Sequence, residues 1–184
     1  VPLRDERESM SLPMVSLSKR KRVKPIEFTS ADGKLWCKVS CNPLYGMATI
    51  YDFDIILWCI SQLNEAVEKG LKTSPTLKFQ PYDLLTAIGR DVGGRRYKQL
   101  EAALERLQST SVTTSVRSDE RSQKAMFSWL DSWQHEVDEA TKRSRGMQVT
   151  VPQWLYDGIV KDRAVLAVSP EYFKLTGGLA RWMY

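Results

Sequence analysis

The chain has 184 residues, 42% hydrophobic and 27% charged, a globular composition that excludes disorder over its whole length. A net charge of +5 suggests an anionic partner, of which nucleic acid is the commonest. Three cysteines (Cys37, Cys41, Cys59) and one histidine (His135) argue against a disulfide framework and a tetrahedral zinc site, and no apolar run is long enough to span a bilayer.

Along the chain, Lys19, Arg20, Lys21, Arg22 and Lys24 put five positive charges into six residues before Pro25. They predict a flexible basic N-terminal arm over residues 1–25, suited to a phosphate backbone or a minor groove. A solvated tail is the plainer reading of the same run. Ile26, Phe28, Leu35, Cys37 and Val39 alternate with polar residues around an Asp32-Gly33 turn and predict a hairpin. Residues 47–70 predict a helix through Ile50, Phe53, Ile56, Leu57, Ile60, Leu63 and Val67, with Gly70 as its stop. Trp58 and Cys59 widen the apolar face, so this helix is expected to be buried on most sides.

A short strand at 77–80 leads to Pro81, which suits the first turn of a brief helix carrying Leu84, Leu85 and Ile88. The turn Gly89-Arg90-Asp91-Val92-Gly93-Gly94 follows, then a helix with the stripe Tyr97, Leu100, Ala103, Leu104 and Leu107. Strands are expected at 112–116, around Met126 and Trp129, at 147–151 and at 165–168. A short helix is expected from Pro152, and Ser169-Pro170-Glu171 is a helix start.

Long helix, short helix, glycine turn, polar-faced helix, strand, charged loop, strand is the order of a winged helix-turn-helix. The expected fold class is therefore α+β, with the winged-helix domain over 26–168. The helix N-terminus carries unpaired N–H groups and partial positive charge, and Arg90, Arg95, Arg96 and Lys98 beside it favour a phosphate. Arginine and Gln99 can read guanine and adenine edges. The charged loop, as wing tip, offers Arg117, Arg121 and Lys124, with Asp119 and Glu120 opposing them. Against this, helix-turn-helix with a hairpin also occurs in domains that bind no DNA, and Glu101 and Glu105 would repel phosphates if turned inward. Met126, Trp129 and Trp133 read either as core or as a docking surface. Strand-nicking catalysis calls for a histidine pair that one histidine cannot supply, so no enzyme activity and no cofactor are expected.

Five strings carry a family resemblance: KRKRVKPIEFTS, NPLYGMATIYDFDIILW, LKFQPYDLLTAIGR, GGRRYKQLEAALERLQSTSVTT and YFKLTGGLARWMY. In this order they resemble the replication initiator protein A family of bacterial plasmid and phage-type initiators, from about Leu17 onward. The resemblance implies binding to repeated origin sequences (iterons) in double-stranded DNA, in the bacterial cytoplasm, by two tandem winged helices. The first typically dimerises and touches backbone, and the second reads the major groove. Monomers are then expected to start replication, dimers to repress it, and host replication proteins to be recruited. The chain stops at Tyr184, inside what reads as the helix joining two such domains, so residues 169–184 are expected to begin a linker helix and the whole to be an N-terminal piece. A winged-helix transcription regulator, or a dimerisation module with little DNA binding, shares the same residue-level evidence.

Overall fold

The computed structural model of the chain describes residues 3–6, 14–115, 124–163 and 165–183. The first half runs β1 (Leu3–Glu6), β2 (Ile26–Thr29), β3 (Trp36–Ser40), α1 (Phe53–Glu68), β4 (Thr76–Phe79), α2 (Pro81–Ala87) and α3 (Gly94–Ser109). Then come β5 (Ser111–Thr114), β6 (Ala125–Ser128), β7 (Ser132–Val137), β8 (Ser144–Thr150), α4 (Gln153–Val160), β9 (Val165–Val168), a 3-10 turn (Pro170–Lys174) and α5 (Gly178–Met183). The architecture is mixed α and β with antiparallel sheets, ordered β1-β9, β2-β3-β5-β6 and β4-β8-β7.

Helix α1 is the hub. Every residue from Phe53 to Ser61 is buried, as its broad apolar face requires. It starts later than its periodicity suggests, because residues 47–50 spend their backbone groups elsewhere. Met47 N–H donates to Arg22 O at 2.8 Å, Ile50 N–H to Ser16 O at 2.8 Å, and Ser16 N–H to Ala48 O at 2.9 Å. Thr49 and Asp52 then cap the helix reciprocally: Thr49 N–H donates to Asp52 Oδ2 at 2.9 Å and Asp52 N–H to Thr49 Oγ1 at 3.1 Å. Of the expected arm, residues 16–22 are engaged by the same bonds. Met14, Val15 and Ser16 are buried, and residues 16–22 run beside 47–50.

The β2–β3 hairpin forms as its alternation requires, with Cys37 and Val39 turned into the core. Val39 sits opposite Val112, so β5 and β6 extend this first sheet. The β5–β6 hairpin, expected to flank the α2–α3 pair, touches α3 through β6. A second hairpin, β7–β8, also touches α3, and its β8 pairs with β4, the strand that leads directly into α2. The segment β7 is not among the strands expected from sequence, because the row Trp133, His135, Val137 that alternates with Gln134 and Glu136 has a polar histidine at its centre and so only two apolar residues.

At the other end, Ser169 Oγ accepts from Glu171 N–H at 3.2 Å and starts the 3-10 turn as its Ser-Pro-Glu signature predicts. The segment expected to begin a linker helix packs against α1 and Leu17. Tyr172 is 5% exposed, and Arg181 reaches Asp54 of α1. Gly178 lies so close to the arm that a Cβ there would fall 1.8 Å from Leu17 O. Gly178→Ala is expected to cost about 1–3 kcal/mol through overpacking against backbone, seen as a lower urea midpoint with an unchanged m-value.

Candidate nucleic-acid interface

Pro81 opens α2, and buried Leu84, Leu85 and Ile88 brace it against the core. The chain then turns through Gly93, whose φ of 143° favours glycine, into α3. No side chain caps α3 and its first turn holds no acidic residue, so its N–H groups and dipole end are open to an anion. At about 100° per residue, Arg95, Lys98 and Ala102 lie opposite the buried stripe of Leu100, Ala103, Leu104 and Leu107. Arg95, Lys98 and Gln99 are exposed.

The other cations of the expected site divide by their partners. Arg96 is half-buried and donates to Asp91 Oδ2 at 3.1 Å and Gln99 Oε1 at 2.9 Å, which ties both it and Gln99 down. Arg90 is engaged within the fold. Its Nη2 donates to Tyr51 O at 2.6 Å and to the buried Asp54 Oδ2 at 3.2 Å, so it holds the turn to α1 instead of facing outward. Asp54 also receives Arg181 Nη1 at 2.6 Å; burial pushes its carboxyl up, and the two guanidiniums oppose that.

Along the arm, Lys19 Nζ sits 5.0 Å above the Tyr51 ring, Lys21 Nζ donates to Leu44 O at 3.0 Å, and Arg22 Nε donates to Lys24 O at 2.8 Å. Arg20 and Lys24 are exposed. Lys124 is exposed at the foot of β6, in the first sheet, while Arg117 and Arg121 lie outside the described residues.

The structure adds cations that were not singled out. Strand β7 runs along α3. Trp133 lines a groove with Glu105, Gln108 and Ser109, and His135 contacts Glu101 nearer the helix start. The hairpin tip is thus carried towards the N-terminal end of α3. There Lys142, Arg143 and Arg145 are exposed, with Lys142 in a left-handed turn at φ 56°. Asp138 fastens the turn by accepting from Ala140 N–H at 3.0 Å and Thr141 N–H at 2.8 Å, and Arg145 pairs with it. The Thr141 amide and then Arg145 hold the Asp138 carboxyl below its usual value of 3.8. The turn therefore keeps this contribution above the unfolded pKa and loses it as pH falls through the depressed one, which a carboxyl NMR titration of the hairpin is expected to show. The available signal was the basic cluster Lys142-Arg143-Ser144-Arg145 between two alternating runs.

Of the possible docking residues, Trp129 is core, 1% exposed and stacked edge-on with Phe53 at 5.0 Å and Phe127 at 5.4 Å. Met126 is 68% exposed and Trp133 half-buried. The three cysteines are free, and burial pushes the Cys59 thiol up to about 12. Among the described residues no group of His, Cys, Asp or Glu is placed to hold a metal, and no helix is long and apolar enough to cross a membrane.

The sequence and fold are similar to those of known proteins. A curated protein of Wigglesworthia glossinidia brevipalpis, named "Putative replication protein", is 33% identical over 142 residues, covering 76% of this chain. The chain spans about half the length of that relative, 51% of it. Two crystal structures of domains 2 and 3 of RctB share the fold at low identity. The first has a TM-score of 0.64 at 9% identity and covers 91% of this chain and 67% of its own. The second has a TM-score of 0.56 at 10% identity and covers 92% and 62%. The family model for replication initiator protein A matches residues 4–184, nearly the whole chain. The chain belongs to the replication initiator protein A family.

Proposed function

We propose that this chain is a DNA-binding part of a replication initiator, with α2 and α3 as a helix-turn-helix and β7–β8 as its wing. The observation that carries the reading is the exposed pair Arg95 and Lys98 on the outward face of an uncapped helix start. The sheet order β4-β8-β7 supports it, because it joins the strand before α2 to the hairpin after α3, the connection that seats a wing beside a reading helix. Glu101, the main objection from sequence, is turned to His135 on the hairpin side. The role is binding and not catalysis. By family, the duplex is a replication origin with direct repeats, and the protein dimerises, represses its own supply and recruits host replication proteins.

The test is fluorescence anisotropy of the chain on two duplexes, one with direct repeats from its own replicon and one scrambled, over a salt series. Binding that weakens steeply with salt is expected, since each neutralised phosphate releases counterions. Preference for the repeats assigns base reading to α3, and equal binding assigns backbone contact. No binding even at low salt defeats the proposal. Sedimentation over a concentration series is expected to show a monomer–dimer equilibrium, and a single monomer mass throughout contradicts dimerisation of this piece.

A further inference from the structure

His135 is the chain's one histidine, and its side chain is only 6% exposed. Its ring is held at both ends. Nδ1 lies 2.5 Å from Glu101 Oε1, and Nε2 lies 3.0 Å from Ser144 Oγ. The Tyr97 ring packs edge-on against it, centroids 6.2 Å apart. Tyr97 and Glu101 are one turn apart on α3, and Ser144 is on β8, so one imidazole joins the helix flank to both strands of the hairpin. Glu101 also follows Lys98 by three residues, which makes the two neighbours on the helix surface. A carboxylate there repels any phosphate that Arg95 and Lys98 engage, unless something holds it aside. Among the other charges of this region, Arg145 is engaged with Asp138.

We propose that His135 is a positioning residue for DNA contact: it holds the Glu101 carboxylate on the hairpin side of α3, away from the phosphates met by Arg95 and Lys98. The proposal rests on the DNA-binding reading above. A contact that served only to pack the hairpin is indifferent to the charge at position 101, whereas one that restrains a carboxylate depends on it.

His135→Gln keeps reach toward Ser144 and removes the Nδ1 contact to Glu101. In anisotropy at low salt, His135→Gln is expected to bind duplex about threefold to tenfold more weakly, from one freed charge near a phosphate. Glu101→Gln alone binds at least as tightly as the native chain, and the double variant returns to within about twofold of it. A double variant as weak as His135→Gln, or a His135→Gln chain that binds normally, overturns the proposal and leaves the DNA reading standing. Native binding that is absent, or that ignores Arg95→Ala, overturns both. Should circular dichroism show His135→Gln unfolded, His135→Asn, which keeps a donor near the Nδ1 position, and Glu101→Gln carry the test. Each must bind no more weakly than the native chain, and a loss in either overturns the proposal.

Discussion

Arg181→Ala is expected to lower the stability of the chain by about 3–5 kcal/mol, a fall in melting temperature of roughly 6–20 °C. The Arg181 side chain combines burial with several partners. Its guanidinium donates to Asp54 Oδ1 at 2.6 Å, to Leu175 O at 2.7 Å and to Phe173 O at 3.2 Å. It also stacks over the rings of Tyr51 and Tyr172, at 4.7 and 5.0 Å. The side chains of Arg181 and Asp54 are 6% and 2% exposed. Truncation leaves a buried carboxylate with Arg90 to oppose its desolvation, and two part-buried carbonyls lose this donor. The sign of the pH dependence follows. Burial already pushes the Asp54 carboxyl up, and removing one guanidinium pushes it further. A carboxyl with a raised folded pKa contributes its stability below the unfolded pKa and loses it as pH rises through the folded one. The deficit of Arg181→Ala in urea denaturation is therefore expected to be larger at about pH 8 than at about pH 5. A variant within about 1 kcal/mol of the native chain at both pH values contradicts this account of the buried node. Arg90→Ala is expected to act in the same direction and more mildly, since its side chain is 29% exposed. Its principal effect is then on stability, with DNA affinity changed only through the fold.

The double change Arg95→Ala with Lys98→Ala is expected to weaken duplex binding about tenfold to a hundredfold at moderate salt. It is also expected to flatten the slope of log affinity against log salt by about 2, close to one unit per lost phosphate contact. Both side chains are exposed on the outward face of α3 and neither is needed in the core, so the melting temperature should hold. Arg96→Ala is expected to do less to the slope, because its guanidinium is already shared by Asp91 and Gln99. A double variant with an unchanged salt slope contradicts α3 as the phosphate-facing element. A double variant that melts early with unchanged affinity makes these residues structural.

The hairpin β2–β3 and the helices α1 to α3 were readable in the residues because each carries its own periodicity and its own stop. Alternation around Asp32-Gly33 specifies β2–β3, Pro81 opens α2, and the stripe from Tyr97 to Leu107 specifies α3 and hence the outward placement of Arg95 and Lys98. Identical-looking cations then part company on contacts between residues distant in sequence. Arg90 turns inward because Asp54 lies 36 positions away along the chain, and Arg181 because the same carboxylate lies 127 away. Nothing local to either arginine encodes that pairing. The arm is another such case: its charges are plain in the sequence, but its path is set by the backbone groups of residues 47–50. Which hairpin joins the strand before α2 was also decided by sheet partnership, since β5–β6 and β7–β8 both touch α3 and only pairing with β3 or with β4 separates them. Periodicity records which face of an element is apolar, and so the sequence by itself determined most of the elements, though not β1 or β7, and the basic face of α3. It carries no record of which distant element supplies a counter-charge or a neighbouring strand, and so the tertiary structure alone decided which arginines face solvent and which hold the fold.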